Sequence, residues 1–410
     1  YKNVKVYRTL SFELGALKNL FKRKLQKISL RKNNNENTHC ASIPNSTLIK
    51  QDLTINQPEL RKNIFNSACS ALRAPLAKTL QFCYNIIFKM QKFFLIPDDK
   101  ILWAIPSFFS ALRIIKTEKP DLIFVTIPPY SSFILAALLK KWTDIKLIVD
   151  YRDPWNIPNT NNNFLNFKLE KWTLKNCDGI TYVVPKIIEI LKNNFELNKI
   201  KSELIYNGYD EDDYKDIEPV EFDKWTMISG GDLYGEENVF FFKILEEFMF
   251  ENPNIKNNFQ LIICSNYHQW FEDYLKNSPI KENIINLGVL PKKDYLKYVK
   301  GADAACIFSY AYYQNINYQV QMHGRVFDYL YFNKKLLIIG HKHNNMLYDI
   351  LNKNEFSFIF GNKSDINEIK LLLRQIYFNI KKDQIQNSRL NKFSRSELTN
   401  SLTELFKAGT

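Results

Sequence analysis

Apolar and polar positions follow two alternating periods along most of the chain. Short apolar runs of four to six residues are typical of buried parallel strands, and each is followed by a longer segment whose apolar positions recur every three or four residues, as in helices. The predicted strands lie at 122–125, 146–150, 179–184, 203–206, 226–229, 260–264, 284–287, 304–308, 335–339 and 356–359. The predicted helices lie at 103–116, 131–141, 164–176, 186–194, 238–250, 267–275, 293–300, 325–331 and 365–378.

The strand–helix alternation is interrupted once, at an acidic segment that contains Pro219. We therefore predict an N-terminal domain at 1–215, a linker at 216–223, a C-terminal domain at 224–394 and a final helix at 395–410 that packs back on the first domain. Strand–helix alternation favours open parallel sheets. The predicted fold is α/β, with two Rossmann-like domains facing a cleft, and ligands in such sheets bind beyond the carboxyl ends of the strands.

The charge balance favours an anionic partner. The chain has 410 residues, 45% hydrophobic and 24% charged, and a formal net charge of +13. A phosphorylated substrate and an anionic lipid surface both explain this excess. Nucleic acid is disfavoured, because no nucleic-acid-binding motif accompanies the charge. Six cysteines are present, scattered without C-x-x-C spacing, which is typical of reduced thiols in a cytosolic protein.

Two basic segments raise the question of a membrane surface. Residues 16–30 and 64–94 combine lysines and arginines with apolar positions at helical spacing, a pattern that suits an anionic bilayer or, equally, helices packed on a sheet. The uncharged stretch 122–139 contains Pro128 and Pro129, so a strand, a turn and a helix explain it better than a membrane span. We expect neither a signal peptide nor a transmembrane segment.

Seven short motifs follow one another along the chain. They are I-P-P-Y-S at 127–131, D-Y-R-D-P-W at 150–155, N-C-D-G-I-T-Y-V at 176–183, I-Y-N-G-Y-D at 205–210, S-G-G-D-L-Y at 229–234, G-R-V-F-D-Y-L at 324–330 and F-S-R at 393–395. In this order they resemble the motifs of family 4 glycosyltransferases of the GT-B fold, especially those of bacterial surface-polysaccharide pathways.

The resemblance implies a glycosyltransferase in cell-surface polysaccharide biosynthesis. Its co-substrate would be a UDP- or GDP-linked sugar, with no resident cofactor, and transfer would proceed with retention. Because no D-x-D motif follows a predicted strand, we expect the reaction to need no metal. The acceptor would be a glycan, carried on a polyprenyl lipid. The expected location is cytoplasmic, peripheral on the inner face of the cell membrane.

The chain departs from the family pattern in two places. The first strand and the Gly-rich loop that follows it in the family are not found, and we expect this chain to lack them. Asp328 stands where the family has a glutamate. Because aspartate is one methylene shorter, its reach toward a ribose is reduced.

On the donor side, the resemblance points to four residues of the C-terminal domain. Gly230 and Gly231 lack side chains, which would let the backbone approach a diphosphate closely. Arg325 would neutralise the charge that develops on the leaving diphosphate. Asp328 would accept hydrogen bonds from the ribose, or would simply stabilise a helix N-terminus.

On the acceptor side, polar residues follow two predicted strands and a proline turn. Asp153 is the candidate for orienting or deprotonating the acceptor hydroxyl, the alternative being an Asp–Arg pair that fixes the loop. The other residues predicted to line the cleft are Pro129, Ser131 (also a predicted helix N-cap), Asp150, Arg152 and Asn207.

Metal ligands and two other functions complete the hypotheses. His341 and His343 are better explained as loop residues than as a ligand pair, and the acidic run 210–213 as a solvated turn. A nucleotide-sugar 2-epimerase of the same fold would share the donor site. A non-catalytic, membrane-associated protein would keep the fold without the chemistry.

Overall fold

The structure is a computed structural model. It describes residues 95–156, 164–197, 200–233, 239–266, 268–309, 322–340, 346–362, 365–378 and 387–407. The basic segments 16–30 and 64–94, and the place where a first strand and Gly-rich loop would be sought, lie outside these ranges. None of the described helices combines the length and the apolar content needed to cross a bilayer.

The chain forms two compact units. One comprises Tyr1–Pro120, Pro129–Asp144 and Phe164–Leu169, and the other comprises Asp121–Pro128, Ile145–Asn163 and Glu170–Thr410. The domain boundary predicted at 216–223 is a different division of the chain and stays a prediction.

In the first unit, two helices pack against each other: α1 (Ile101–Glu118) and α2 (Ser131–Thr143). The ring of Phe108 on α1 meets that of Trp142 on α2 edge-on, with centroids 5.9 Å apart. Both helices end at a residue in the left-handed region, Lys119 and Asp144, where the backbone N–H bonds back to the last turn. Helix α3 (Phe164–Lys175) begins in this unit.

The second unit contains both sheets, and all their strands are parallel. The first sheet has the order β1-β2-β3-β4, and helix α4 (Pro185–Asn194) connects its last two strands. Its strands are β1 (Leu122–Ile127), β2 (Lys146–Tyr151), β3 (Gly179–Tyr182) and β4 (Lys201–Leu204). Strand β2 carries the apolar run Leu147–Val149, fully buried as expected for a central parallel strand.

The second sheet has six strands in the order β10-β9-β8-β5-β6-β7. They are β5 (Trp225–Gly230), β6 (Phe259–Cys264), β7 (Ile284–Asn286), β8 (Ala304–Ser309), β9 (Lys335–Gly340) and β10 (Ile359–Asn362). The accompanying helices are α5 (Val239–Glu251), α6 (Pro253–Asn258), α7 (Gln269–Asn277), α8 (Lys292–Gly301), α9 (Val326–Tyr331), α10 (Met346–Lys353), α11 (Ile366–Phe378), α12 (Asn387–Asn391) and α13 (Arg395–Lys407). Chain order reverses between β5 and β8, as in a doubly wound nucleotide-binding sheet.

Aromatic packing dominates the core of the six-stranded sheet. Phe241, Phe242 and Phe248 on α5 are almost fully buried against the strands, and Phe242 meets Phe271 of α7 with centroids 5.0 Å apart. Burying a phenylalanine side chain contributes roughly 1.5–3 kcal/mol. These rings therefore hold α5 to one face of the sheet.

The predicted elements are present, with two displaced strands. β4 was expected at 203–206 but lies two residues earlier, because it is an edge strand whose alternate residues are exposed. β10 was expected at 356–359 but begins at Ile359, and Phe356 instead packs on the ring of Phe393. Three short helices, α6, α10 and α12, were not predicted.

The final helix contacts the four-stranded sheet. Lys146 donates from Nζ to the backbone oxygen of Phe406 at 2.8 Å, and the rings of Phe124 and Phe406 lie 5.6 Å apart. Before the helix, the N–H of Arg395 donates to the backbone oxygen of Tyr209 at 2.7 Å. The chain thus returns from the six-stranded sheet to the four-stranded one.

Candidate active site

A cavity of about 160 Å³ opens at the carboxyl ends of β5 and β8, at the point where chain order reverses. Its walls come from the turn after β5, the end of β8 and the segment that begins α9. The lining residues are Ser229, Gly230, Gly231, Asp232, Ile307, Phe308, His323, Gly324 and Arg325. Three predicted donor-site residues, Gly230, Gly231 and Arg325, are therefore brought together where such sheets bind ligands.

The two glycines are needed for different reasons. A Cβ at Gly230 would lie 2.5 Å from the Tyr295 hydroxyl and 2.8 Å from Cδ of Arg325. Gly231 has φ of +114°, a backbone conformation that side chains disfavour. Both N–H groups are already engaged, Gly230 with the Tyr329 hydroxyl at 2.8 Å and Gly231 with the Cys264 carbonyl at 3.2 Å. These two N–H groups are therefore not free donors for a ligand, and the space left by the missing Gly230 side chain is occupied by Tyr295 and Arg325.

Arg325 is the cation of this cavity. It occupies the N-cap position of α9 and its guanidinium lies over the Tyr295 ring, 5.3 Å from the centroid. Among the described residues, no carboxylate pairs with it and no acceptor receives its hydrogen bonds. A half-buried guanidinium without a counter-ion, at the start of a helix, creates a positive potential suited to a phosphate or another anion.

His323 adds a polar atom to the same wall. Its Nε2 is buried and has no hydrogen-bond partner among the residues that the structure describes. Burial, and secondarily the nearby Arg325 charge, lowers the pKa of His323 to about 4. The imidazole is therefore neutral at physiological pH, and one ring nitrogen is free to bond a ligand. We did not predict this residue, although its position two residues before Arg325 in a Gly-containing turn was a usable signal.

Asp232 forms a second unpredicted feature, at the cavity's other wall. Its carboxylate contacts Nε2 of His268 and accepts a hydrogen bond from Asn266 Nδ2 at 3.1 Å. The Ser265 hydroxyl accepts a hydrogen bond at 3.1 Å from the N–H of Leu233, the residue after Asp232. These polar side chains follow β5 and β6, so the parallel register brings them to one edge.

Asp328, predicted to bind ribose, lies outside the cavity lining. Its side chain is buried, and Oδ1 accepts hydrogen bonds from the Tyr214 hydroxyl and from Lys292 Nζ, both at 2.5 Å. Burial and the adjacent carboxylate raise the pKa of Tyr214 far above its usual value, so its hydroxyl remains a donor. The ribose contact stays a prediction, and the observed role of Asp328 is to hold three segments together.

The predicted acceptor residues Asp150, Arg152 and Asn207 form one network. Asp150 is buried at the end of β2, where it accepts from Thr181 Oγ1 at 2.7 Å and from Arg152 Nε at 2.6 Å. Arg152 also donates to Asn207 Oδ1 at 2.7 Å. An Asp–Arg pair therefore does fix this loop, and the carboxylate in it is Asp150. Asn207 bonds across to the arginine instead of making a local turn bond.

Asp153 lies just beyond that pair, and no described residue bonds its carboxylate. The residue as a whole is exposed, yet partial burial of the carboxyl raises its pKa. Behind the loop, Glu170 is fully buried and accepts from the Tyr151 hydroxyl at 3.0 Å and from Asn156 Nδ2 at 2.6 Å. Burial raises the pKa of Glu170 to about 7 despite these hydrogen bonds.

Pro129 and Ser131 lie in the other compact unit, at the start of α2. Helix α2 begins at Ser131 itself with Tyr130 as N-cap, so the expected Ser131 side-chain cap is wrong. The Ser131 hydroxyl is buried and has no hydrogen-bond partner within the described ranges. Its N–H donates instead to Asp98 Oδ2 at 2.9 Å, and this distant carboxylate serves as the cap. Sequence reasoning missed Asp98 because it lies 33 residues away.

The described residues contain no group of three or more histidines, cysteines, aspartates or glutamates able to hold a metal ion. Described cysteines are buried and free, and burial raises the pKa of Cys177 to about 12. These thiols act as apolar core residues. His341 and His343 lie outside the described residues.

Solved structures share this architecture at low sequence identity. HepE from Anabaena, in complex with UDP, has a TM-score of 0.54 and 9% identity over 73% of this chain and 81% of that one. A UDP-forming α,α-trehalose-phosphate synthase from Burkholderia xenovorans has a TM-score of 0.57 and 11% identity, covering 76% and 80% of the two chains. A Listeria monocytogenes protein assigned as a UDP-N-acetylglucosamine 2-epimerase has a TM-score of 0.50 and 12% identity, covering 76% and 79%.

The two parallel sheets and the cavity at the switch point define a protein of the GT-B fold. Residues 69–213 match the sequence profile of Glycosyltransferase Family 4. That stretch is similar to the family 4 glycosyltransferases, and the described sheets share the fold of the solved structures named above. None of the curated proteins is similar to it in sequence.

Proposed function

We propose that this enzyme transfers a sugar from a UDP- or GDP-linked donor to a polyprenyl-linked glycan in cell-surface polysaccharide synthesis, with retention. One observation carries the donor part of the proposal: Arg325, which pairs with no carboxylate in the described part of the chain, lines the same cavity as Gly230 and Gly231. The donor's diphosphate would lie against this guanidinium. The structure with UDP among the similar folds supports a nucleotide diphosphate as ligand.

The chemistry assigned to Arg325 follows from charge. As the glycosidic bond to the diphosphate breaks, negative charge grows on the leaving phosphate oxygens, and a fixed cation stabilises them most at that moment. Arg325 has no carboxylate to release before it can act. Neutral His323 can donate or accept one further hydrogen bond from the same wall.

Calorimetric titration tests donor binding, with UDP, GDP, UDP-sugars and GDP-sugars as ligands. We expect a nucleotide diphosphate to bind and its affinity to fall with added salt, since the contact is ionic. A product mass increased by one sugar on a polyprenyl-diphosphate glycan would establish transfer. Inversion at C2 of the free nucleotide sugar would support the epimerase instead, and no nucleotide binding would support a non-catalytic protein.

The cation role proposed for Arg325 leads us to propose a metal-independent reaction. Activity should persist after EDTA treatment and should not rise when magnesium or manganese is added. Loss of activity with EDTA, restored by either ion, would show that the donor site has been misassigned.

We also propose that the enzyme docks on an anionic membrane surface, which a lipid-linked acceptor requires. Ile105, Phe109, Arg113 and Lys116 form an exposed stripe along α1, at successive helical turns. Trp142 of α2, 70% exposed, lies beside this stripe through its ring contact with Phe108. Arg113 and Lys116 place two positive charges on this stripe, so the face combines apolar side chains with positive charge.

Liposome co-sedimentation with the full chain tests the docking surface. Ile105→Ser with Phe109→Ser and Trp142→Ser should reduce binding to vesicles containing phosphatidylglycerol at least several-fold, and neutral vesicles should bind weakly. The matched control is Phe250→Ser, because Phe250 is 87% exposed but follows Glu246 and Glu247 and precedes Glu251. Equal binding by the triple variant and the wild type would contradict this surface; binding independent of lipid charge would contradict its electrostatic basis.

A further inference from the structure

Two buried tyrosines connect the two walls of the anion cavity. Tyr295 lies on α8 and Tyr329 on α9, and both are almost fully buried. The Tyr295 hydroxyl donates to the Tyr329 hydroxyl at 3.0 Å, and the latter accepts from the N–H of Gly230 at 2.8 Å. A chain of hydrogen bonds therefore runs from α8 through α9 to the turn after β5.

The same Tyr295 ring supports the arginine. The guanidinium of Arg325 lies over it at 5.3 Å from the centroid. The room that a Cβ would need at Gly230 is filled by the Tyr295 ring edge and by Cδ of Arg325, both 2.8 Å from that position. One tyrosine thus touches the glycine turn and the arginine, and the other holds the turn by its N–H.

We propose that Tyr295 and Tyr329 are positioning residues of the donor site, which set the separation of the Gly230 backbone and the Arg325 guanidinium so that a diphosphate fits between them. This inference rests on the proposed function. Neither hydroxyl lines the cavity, so both act through the glycine and the arginine rather than by touching the ligand.

The hydroxyls are suited to a fixed, neutral scaffold. Burial is the main cause that raises the pKa of both tyrosines above the usual value, so neither ionises near Arg325 under physiological conditions. The part-buried N–H of Gly230 would lose its observed acceptor with the Tyr329 oxygen, which makes the position of the turn sensitive to the loss of that one atom. A ring lost from beneath the guanidinium leaves the arginine free to change rotamer.

The test measures affinity for inorganic pyrophosphate, UDP and uridine by calorimetry. Tyr329→Phe should weaken the binding of pyrophosphate and UDP about 5- to 10-fold, the effect of one lost hydrogen bond, and should leave uridine binding unchanged. Tyr295→Phe keeps the ring under Arg325, so it should weaken the binding of pyrophosphate and UDP less than Tyr295→Leu does. Tyr274→Phe is the control, because Tyr274 donates a 2.5 Å hydrogen bond to Glu246 away from the cavity; it should change stability alone.

A double-mutant cycle separates positioning from general stability. If Tyr295 acts through Arg325, Tyr295→Leu should weaken UDP binding little further in an Arg325→Ala background. Additive effects, or equal losses for uridine and UDP, would overturn the inference. So would wild-type affinity for pyrophosphate in both Tyr329→Phe and Tyr295→Leu. Failure of the wild-type protein to bind pyrophosphate and UDP would instead contradict the proposed donor site itself.

Discussion

At the scale of single residues, the cavity depends on absent side chains as much as on present ones. Gly230 leaves space that Tyr295 and Arg325 fill, and Gly231 adopts a φ of +114° that other residues avoid. Arg325 supplies the positive charge without a described counter-ion. The family resemblance pointed to these three residues in sequence, and the structure brings them to one cavity.

Replacing Arg325 should mainly affect catalysis. Arg325→Ala should lower kcat by about 100-fold or more, as expected when a contact to transition-state charge is removed, and Arg325→Lys should recover part of it. Steady-state kinetics and a thermal melt measure the two effects separately. Arg374→Ala is the control, because Arg374 is exposed and bonds Asn252 on the surface. Wild-type kinetics in folded Arg325→Ala would exclude the residue from the mechanism.

Alanine substitution at three glycines should separate backbone strain from collision. Gly231 has a positive φ and its Cβ would lie 2.9 Å from an Arg325 guanidinium nitrogen, whereas Gly288 has φ of +69° with open space around it. We expect Gly288→Ala to destabilise by about 1 kcal/mol through strain alone. Gly231→Ala should destabilise the fold more than Gly288→Ala does, and it should also weaken UDP binding. Gly324→Ala has neither problem and should be nearly neutral; urea unfolding of all three variants gives the comparison.

At the scale of elements, α9 is a helix of six residues that neighbouring segments hold in place. Asp328 on α9 accepts hydrogen bonds from Lys292 on α8 and from Tyr214, which lies in the turn before the second sheet. Tyr214 also stacks on Tyr331 at 3.9 Å between centroids. A six-residue helix is marginal by itself, so these contacts fix the segment that carries Arg325.

Lys292→Met should reveal the strength of this attachment. Removing the ammonium leaves a buried carboxylate with one described donor, and we expect a loss of about 1–3 kcal/mol in unfolding free energy, limited because Lys292 is half exposed. Asp328→Asn in the same chain should recover part of the loss. The control on the same helix is Lys297→Met, whose exposed pair with Asp294 should be worth under about 1 kcal/mol. Equal losses for the two lysines would contradict a special role for the Asp328 contact.

The loop that carries Asp153 should respond to pH through Glu170. The pKa of Glu170 is raised from 4.5 to about 7 by burial, so the folded protein binds this proton more tightly than the unfolded chain does. Its stabilising contribution, on the order of 3 kcal/mol, is fully present below about pH 4.5 and is lost as pH rises through about 7.

Glu170→Gln isolates this titration. The difference in unfolding free energy between variant and wild type should shift in favour of the variant from pH 5 to pH 8, because an amide does not ionise. Chemical unfolding at each pH measures it. Parallel curves for the two proteins would show that Glu170 does not titrate in this range.

At the scale of the whole molecule, the two sheets differ in what they offer a ligand. The six-stranded sheet reverses chain order between β5 and β8 and has the cavity at that point. In its described part, the four-stranded sheet runs from β1 to β4 without reversal. The proposed donor site therefore lies at the second sheet, whereas Asp150, Arg152 and Asn207 at the first sheet form a hydrogen-bonded network that holds a loop.

The local pattern determined the fold class and the order of elements. Apolar runs separated by helical periods specify parallel strands and crossover helices, because a strand buried on both faces must be apolar along its length. Cysteine spacing excluded the usual zinc signatures, and the lack of a nucleic-acid-binding motif disfavoured nucleic acid. The motifs around Gly230 and Arg325 could be recognised in the sequence because each consists of residues adjacent in the chain.

Only the tertiary structure decided which polar residues are committed to one another. Asp98 caps a helix 33 residues away, Asp328 is taken by Tyr214 and Lys292, and Tyr295 supports a turn and an arginine on two other elements. The sequence alone does not show whether a carboxylate binds a ribose or pairs with a lysine. Its partner is set by distances between segments far apart in sequence, and those distances exist only after the sheets and helices have packed.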